Sequence, residues 1–126
     1  MRFLVVDDSI TMRRIIVNAL QRVGYDDAIE AADGKEALDR FDSGVGFVIT
    51  DWNMPNMSGV DLVRALRARP DGRSVPVLMV TTRSAREDLI AAVEAGVNNY
   101  ILKPFTPPVL KEKIERLLEV QTVTVS

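Results

Sequence analysis

The chain contains no cysteine and no histidine. The first absence removes disulfides and thiolate metal sites and suits a reducing compartment, so a cytoplasmic location is expected. The second removes imidazole as metal ligand and general base, and with it any Ser-His-Asp or Cys-His catalytic pair. Any phosphohistidine this protein handles must therefore sit on another molecule. No uninterrupted apolar run is long enough to span a bilayer, and the opening "MRFLVVDD" reaches acid too early for a signal peptide. No membrane association is expected. A basic excess is missing too: 16 Lys and Arg against 18 Asp and Glu give a net charge of −2, which offers no footprint for nucleic acid. The chemistry that remains rests on carboxylates, hydroxyls, lysine and a hard metal ion.

What is present is the length and apolar content of one ordinary domain, 126 residues of which 47% are hydrophobic. Short apolar runs at "RFLVV", "DAIEA", "GFVIT", "VPVLMV" and "NNYIL" alternate with amphipathic stretches. Met12, Ile15, Ile16, Ala19, Leu20 and Val23 recur at helical spacing, with Gly24 as the stop. Asp33 predicts the cap of a second helix through Ala37, Leu38 and Phe41. A third starts near Ser58 and gives out before the turn-rich "RPDGRS". A fourth runs from about Ser84 to Gly96, and a fifth follows "PFTPP". Five strands alternating with five helices predict an α/β fold, a doubly wound five-stranded parallel sheet covered on both faces. The domain is expected over residues 1–120, with a short frayed tail at 121–126.

In such sheets ligands gather at the carboxyl ends of the strands. The first strand ends in Asp7 and Asp8, the third in Asp51 followed by "WNMPNMSG", the fourth in Thr81 and Thr82, and the fifth in Lys103 before Pro104. Three carboxylates and one ammonium would then share a small volume, and clustered carboxylates do not all stay ionised uncompensated. Mg²⁺ answers that problem, since it takes oxygen ligands and keeps several waters. Taken singly, each residue is ordinary: a strand-end aspartate is more often a cap, and Lys-Pro is usually a turn. Their joint occurrence, spread over the βα units, points to a site.

The set "VVDDSITMRR", "DWNMPNMSG", "PVLMVTT" and "NNYILKPF" resembles the response-regulator receiver domain, most nearly the stand-alone receivers of chemotaxis, from about Phe3 to Leu118. The resemblance implies a flavodoxin-like strand order, 2-1-3-4-5. It implies that Asp51 accepts a phosphoryl group from a sensor histidine kinase. Asp8 would ligate Mg²⁺ directly, Asp7 through water, and Asn53 would lend its backbone carbonyl beside Asp51. Thr81 takes the place of the hydroxyl that bonds a phosphoryl oxygen, Lys103 that of the lysine that pairs with it, and Tyr100 that of the switch aromatic. The Lys103–Pro104 bond is expected to be cis. Such a protein is no enzyme beyond catalysing its own phosphorylation and slow dephosphorylation. With no output domain after the fifth helix, a monomer is expected to signal through the face of its fourth helix, fifth strand and fifth helix. The implied partners are a downstream protein such as the flagellar motor switch, and a phosphatase.

Competing readings differ at identifiable residues. A flavin carrier on this fold needs a Ser/Thr/Gly-rich loop after the first strand, where "DDSITMRR" stands. A phosphohydrolase with an aspartyl-phosphate intermediate would show "D-x-D", whereas Asp51 is followed by "WN". A docking-only receiver would lack the acid set or Lys103, and a receiver of a phosphorelay outside chemotaxis would keep both. Trp52 is expected at the rim of the site, and Met54 with Pro55 to shape the loop. Arg83 and Thr82 lie where the family varies and bear on access to Asp51. Arg13 and Arg14 are expected to be solvated, as exposed helix arginines usually are, or else to contact a partner. Lys111, Lys113 and Arg116 form a partner surface or balance nearby glutamates.

Overall fold

Phe3, Leu4, Val5 and Val6 are all fully buried, although neighbouring side chains of a strand point to opposite faces. Both faces of that strand are therefore covered. The computed structural model describes residues 1–123. Its elements follow the expected alternation: β1 (Arg2–Val6), α1 (Ile10–Arg22), β2 (Ala28–Ala31), α2 (Gly34–Arg40), β3 (Val45–Asp51), α3 (Gly59–Arg67), β4 (Val77–Thr81), α4 (Arg86–Ala95), β5 (Asn99–Leu102) and α5 (Pro107–Val123). A single 3-10 turn, Pro70–Gly72, occupies "RPDGRS". The strands form one parallel sheet in the order β2-β1-β3-β4-β5. Among the described residues no helix is long and apolar enough to cross a membrane.

The two sheet faces make two cores. Phe3, Val5, Phe47, Ile49, Leu78 and Val80 pack with Ile16 and Leu20 of α1 and Leu110 and Ile114 of α5. Leu4, Val6, Val48, Val77 and Met79 pack with residues of α2, α3 and α4, among them Ala37, Leu62, Leu66 and Ala92. Each fully buried aliphatic or aromatic side chain contributes about 1.5–3 kcal/mol, so the core holds the strand ends in register. Val6 pairs with Thr50, Asp51 with Val80, and Thr81 with Leu102. Residues just past each of these pairs emerge together at one edge.

Short polar side chains start three helices. Ser9, Asp33 and Ser58 accept from the backbone N–H of Met12, Glu36 and Asp61, each satisfying an otherwise orphan donor. Gly96, at φ +114°, ends α4 in the left-handed region that glycine adopts at little steric cost. At the opposite end from the acids, Arg67 donates to the carbonyls of Gly72 (2.8 Å), Val75 (2.7 Å) and Gly96 (2.8 Å) and to Asn98 Oδ1 (2.9 Å).

Two boundaries differ from expectation. α4 starts at Arg86 and not near Ser84, and its cap position, Ala85, offers no side-chain acceptor. Instead the Ala85 carbonyl takes the N–H of Asp88 and Leu89, and Arg83 reaches the Asp88 carboxylate at 3.5 Å. α5 continues through 121–123, where a tail was expected to begin; residues 124–126 lie outside the described residues.

Candidate functional site

The paired acids leave β1 in different environments. Asp7 is 1% exposed, whereas Asp8 is open to solvent. Asp7 Oδ1 accepts the Ser9 N–H at 2.9 Å, and its Oδ2 accepts from Lys103 Nζ at 3.2 Å. Lys103 Nζ also stands 3.4 Å from Asp51 Oδ2. Asp51 Oδ1 takes the N–H of Trp52 at 2.7 Å. Carboxylate oxygens of Asp7, Asp8 and Asp51, one from each, lie within 4.8 Å of one another. The predicted convergence of three acids and one lysine is present.

Electrostatics follow from the count. Burial pushes the Asp51 carboxyl above the ordinary carboxylate value; Lys103 opposes that, and the charge of Asp7 adds to it. Lys103 neutralises one of three negative charges, so the cluster is under-compensated. Hard oxygen donors, a net negative site and one solvent-open carboxylate fit Mg²⁺, which keeps part of its water shell. Among the described residues, the side chains of Asp7, Asp8 and Asp51 could hold it.

The response regulator receiver domain model matches residues 3–115. The chain belongs to the receiver domains. Chemotaxis protein CheY1 of Helicobacter pylori (strain J99) is 53% identical over 120 residues, covering 94% of this chain and 97% of the relative. The solved structure of chemotaxis protein CheY4 from Vibrio cholerae matches with a TM-score of 0.86 and 35% identity, covering 92% of this chain and 97% of that one. The receiver domain of a sensor histidine kinase from Pseudomonas aeruginosa, solved with magnesium in its active-site cleft, matches with a TM-score of 0.83 and 27% identity, covering 94% and 97%.

Around the acids of this receiver stand the other expected residues. Thr81 is buried, and its hydroxyl accepts the N–H of Arg83 at 3.0 Å; its carbonyl accepts the N–H of Lys103 at 2.9 Å. The Lys103–Pro104 bond is cis. Tyr100, on β5, is half-buried, with the Lys113 ammonium 5.9 Å from its ring centroid. Asn53 lies exposed on the loop after Asp51. Its side-chain oxygen accepts from Arg83 Nη2 at 2.8 Å, and the Arg83 guanidinium sits 4.5 Å over the Trp52 ring. Trp52 is buried in the core shared with α2, α3 and α4, covered by Arg83, while Thr82 is exposed.

Arg13 overturns its expectation. Its side chain is only 14% exposed; Nη1 donates to the Asp7 carbonyl at 2.7 Å and Nε to Glu30 Oε1 at 3.1 Å. Arginine carries several donors in a rigid fork, and here they tie α1 and β2 to the peptide that aims the acidic pair. Arg14 remains largely exposed beside Glu30. On α5, Lys111 and Arg116 pair with Glu115 and Glu112 one turn away. The sequence offered one clue to Arg13: it falls in the first turns of the helix that follows Asp8 directly.

Proposed function

We propose that this receiver is a phosphorylation-dependent switch in chemotaxis, loaded on Asp51 by a partner histidine kinase. The observation that carries the reading is Asp51 held in an oxygen cluster with Asp7 and Asp8, with the Lys103 ammonium 3.4 Å from its carboxylate. Phosphoryl transfer depends on positioning and charge neutralisation more than on covalent groups from the protein. A carboxylate oxygen of Asp51 forms the new O–P bond as the N–P bond of the donor's phosphohistidine breaks. Lys103 stabilises charge on the phosphoryl oxygens. Asp8, Asp51 and the backbone carbonyl of Asn53, with Asp7 through water, would hold magnesium, which would supply the divalent charge that three carboxylates and a phosphoryl group require. Water later cleaves the acyl phosphate and returns the carboxylate. The protein turns over its own modification and is no enzyme in the ordinary sense.

Phosphorylation raises the charge at Asp51 to about −2 and adds acceptor oxygens. The Thr81 hydroxyl, which accepts an N–H and has its own proton to donate, turns to them, and Tyr100 follows into the space released. The signal leaves through α4, β5 and α5. In support, Ile90, Val93, Leu102 and Val109 are exposed there, and a groove of about 370 Å³ is lined by Tyr100, Leu102, Pro104, Val109 and Lys113. The downstream partner is a protein such as the flagellar motor switch, a phosphatase shortens the signal, and the chain works as a cytoplasmic monomer. Similarity to chemotaxis proteins over nearly the whole chain supports this pathway. The test is labelling by acetyl phosphate in Mg²⁺. The parent should take up one phosphoryl group and Asp51→Asn none; equal labelling of the variant would refute the assignment.

A further inference from the structure

The segment from Trp52 to Ser58 joins Asp51 to α3, and it contains no helix or strand. Its course is nevertheless fixed at several points. At its base, the Gly59 N–H donates to the Trp52 carbonyl at 2.8 Å. At its tip, the Met57 N–H donates to the Pro55 carbonyl at 2.7 Å, and Asn56 between them sits at φ +67°. Asparagine visits that left-handed region more readily than other side-chain-bearing residues, still at a cost that surrounding contacts must offset. One such contact comes from the turn between β2 and α2: Asn56 Nδ2 donates to Asp33 Oδ2 at 2.7 Å. A second is steric. Gly34 packs so tightly on Met57 that a Cβ there would come within 2.7 Å of its side chain and 2.9 Å of its carbonyl oxygen.

Asp33 uses its two oxygens separately. Oδ1 accepts the Glu36 N–H at 2.8 Å and caps α2. Capping needs a single oxygen, as the hydroxyls of Ser9 and Ser58 demonstrate on α1 and α3. The surplus oxygen is the one that reaches Asn56. Both hydrogen bonds favour the ionised carboxyl, the Glu36 N–H most, and hold it below its ordinary value. A bond to an ionised acceptor is also stronger than a neutral one.

We propose that Asp33 is a positioning residue for the metal and phosphoryl site: through Asn56 it fastens the loop that carries the Asn53 carbonyl. This rests on the reading of Asp7, Asp8 and Asp51 as a magnesium site. With the tether in place the carbonyl is pre-ordered; without it, the loop must be ordered when the cation binds, and affinity falls. Outer partners of metal ligands contribute in this way without touching the ion.

The experiment follows the fluorescence of Trp52, the single tryptophan, during Mg²⁺ titration of unphosphorylated protein, with thermal melts alongside. Asp33→Ser keeps a one-oxygen cap and removes the tether. Asn56→Gly removes it from the loop side and suits the positive φ. Each should weaken Mg²⁺ binding about ten-fold, the low end for loss of an outer partner, with little change in Tm. Asp33→Asn should recover most of the affinity, because an amide can cap through its oxygen and donate to a turned Asn56. Affinity equal to the parent in Asp33→Ser and Asn56→Gly overturns the inference, as does equal loss in Asp33→Asn. A parent protein that does not bind Mg²⁺ overturns the metal reading, and this inference with it; a parent that binds while the variants match it sinks the tether alone.

Discussion

Replacing Lys103 with methionine removes the one cation from the cluster while keeping most of the side chain's length. Its ammonium lies 3.2 Å from Asp7 and 3.4 Å from Asp51. At an effective dielectric near 20 each attraction is about 5 kcal/mol. That gross sum is not the net effect: desolvation of the ammonium is relieved, and Asp51 can take up a proton. Removing one partner of a buried ion pair costs about 3–5 kcal/mol. Lys103 is 16% exposed and Asp51 14%, which argues for the lower end, about 3 kcal/mol. With roughly 2 cal/mol/K of unfolding entropy per residue, that loss lowers Tm by about 10 °C. The assay is thermal unfolding in chelator and again in Mg²⁺. The melt should fall by that amount in chelator, and Mg²⁺ should raise it more in Lys103→Met than in the parent, because the cation then supplies the missing charge. A Tm within about 2 °C of the parent in chelator would refute the view that Lys103 neutralises the acids.

The same cluster sets a pH dependence. Asp51 is held above its ordinary value by burial first, so the folded state binds its proton more tightly than the unfolded chain does. Without Mg²⁺, ionisation of Asp51 therefore removes stability as pH rises from the unfolded to the folded value. In urea titrations, Asp51→Asn should be more stable than the parent at neutral pH and equal to it below the ordinary carboxylate range; a constant difference across pH would contradict this. Arg67→Met strips hydrogen bonds from Gly72, Val75, Gly96 and Asn98 and should cost about 3 kcal/mol, seen as a lower urea midpoint with acetyl phosphate labelling retained. Arg67→Lys should recover only part, since an ammonium lacks the planar fork. A Cβ at Gly59 would strike the Asp51 carbonyl oxygen, so Gly59→Ala should destabilise by about 2 kcal/mol and slow labelling, whereas Gly24→Ala, in open space, should leave labelling unchanged.

What could be read directly from the chain has a common physical origin. Strands buried on both faces must be apolar at every position, so "FLVV" and "VLMV" announce themselves without any partner being known. Ser58 and Asp33 announce helix starts because a cap works within four residues. The acid-lysine cluster was legible because a parallel sheet brings strand ends to one edge whatever the loops do. The remainder depends on partners distant in sequence. Arg13 looks like any surface arginine until Glu30, 17 residues away, and the Asp7 carbonyl are placed around it. The second oxygen of Asp33 gains meaning only from Asn56, 23 residues on. Arg83 finds Asn53 across 30 residues and draws Asp88 back toward the loop. That contact accompanies the later start of α4, which its own residues did not reveal.

If Asp7, Asp8 and Asp51 form one cation site around the proposed acceptor Asp51, calorimetric titration with Mg²⁺ will register it. The parent should bind one ion per chain, and Asp8→Asn and Asp51→Asn should each lose most of that affinity. No binding by the parent, or binding that survives both substitutions, would mean that these three carboxylates do not form a magnesium site.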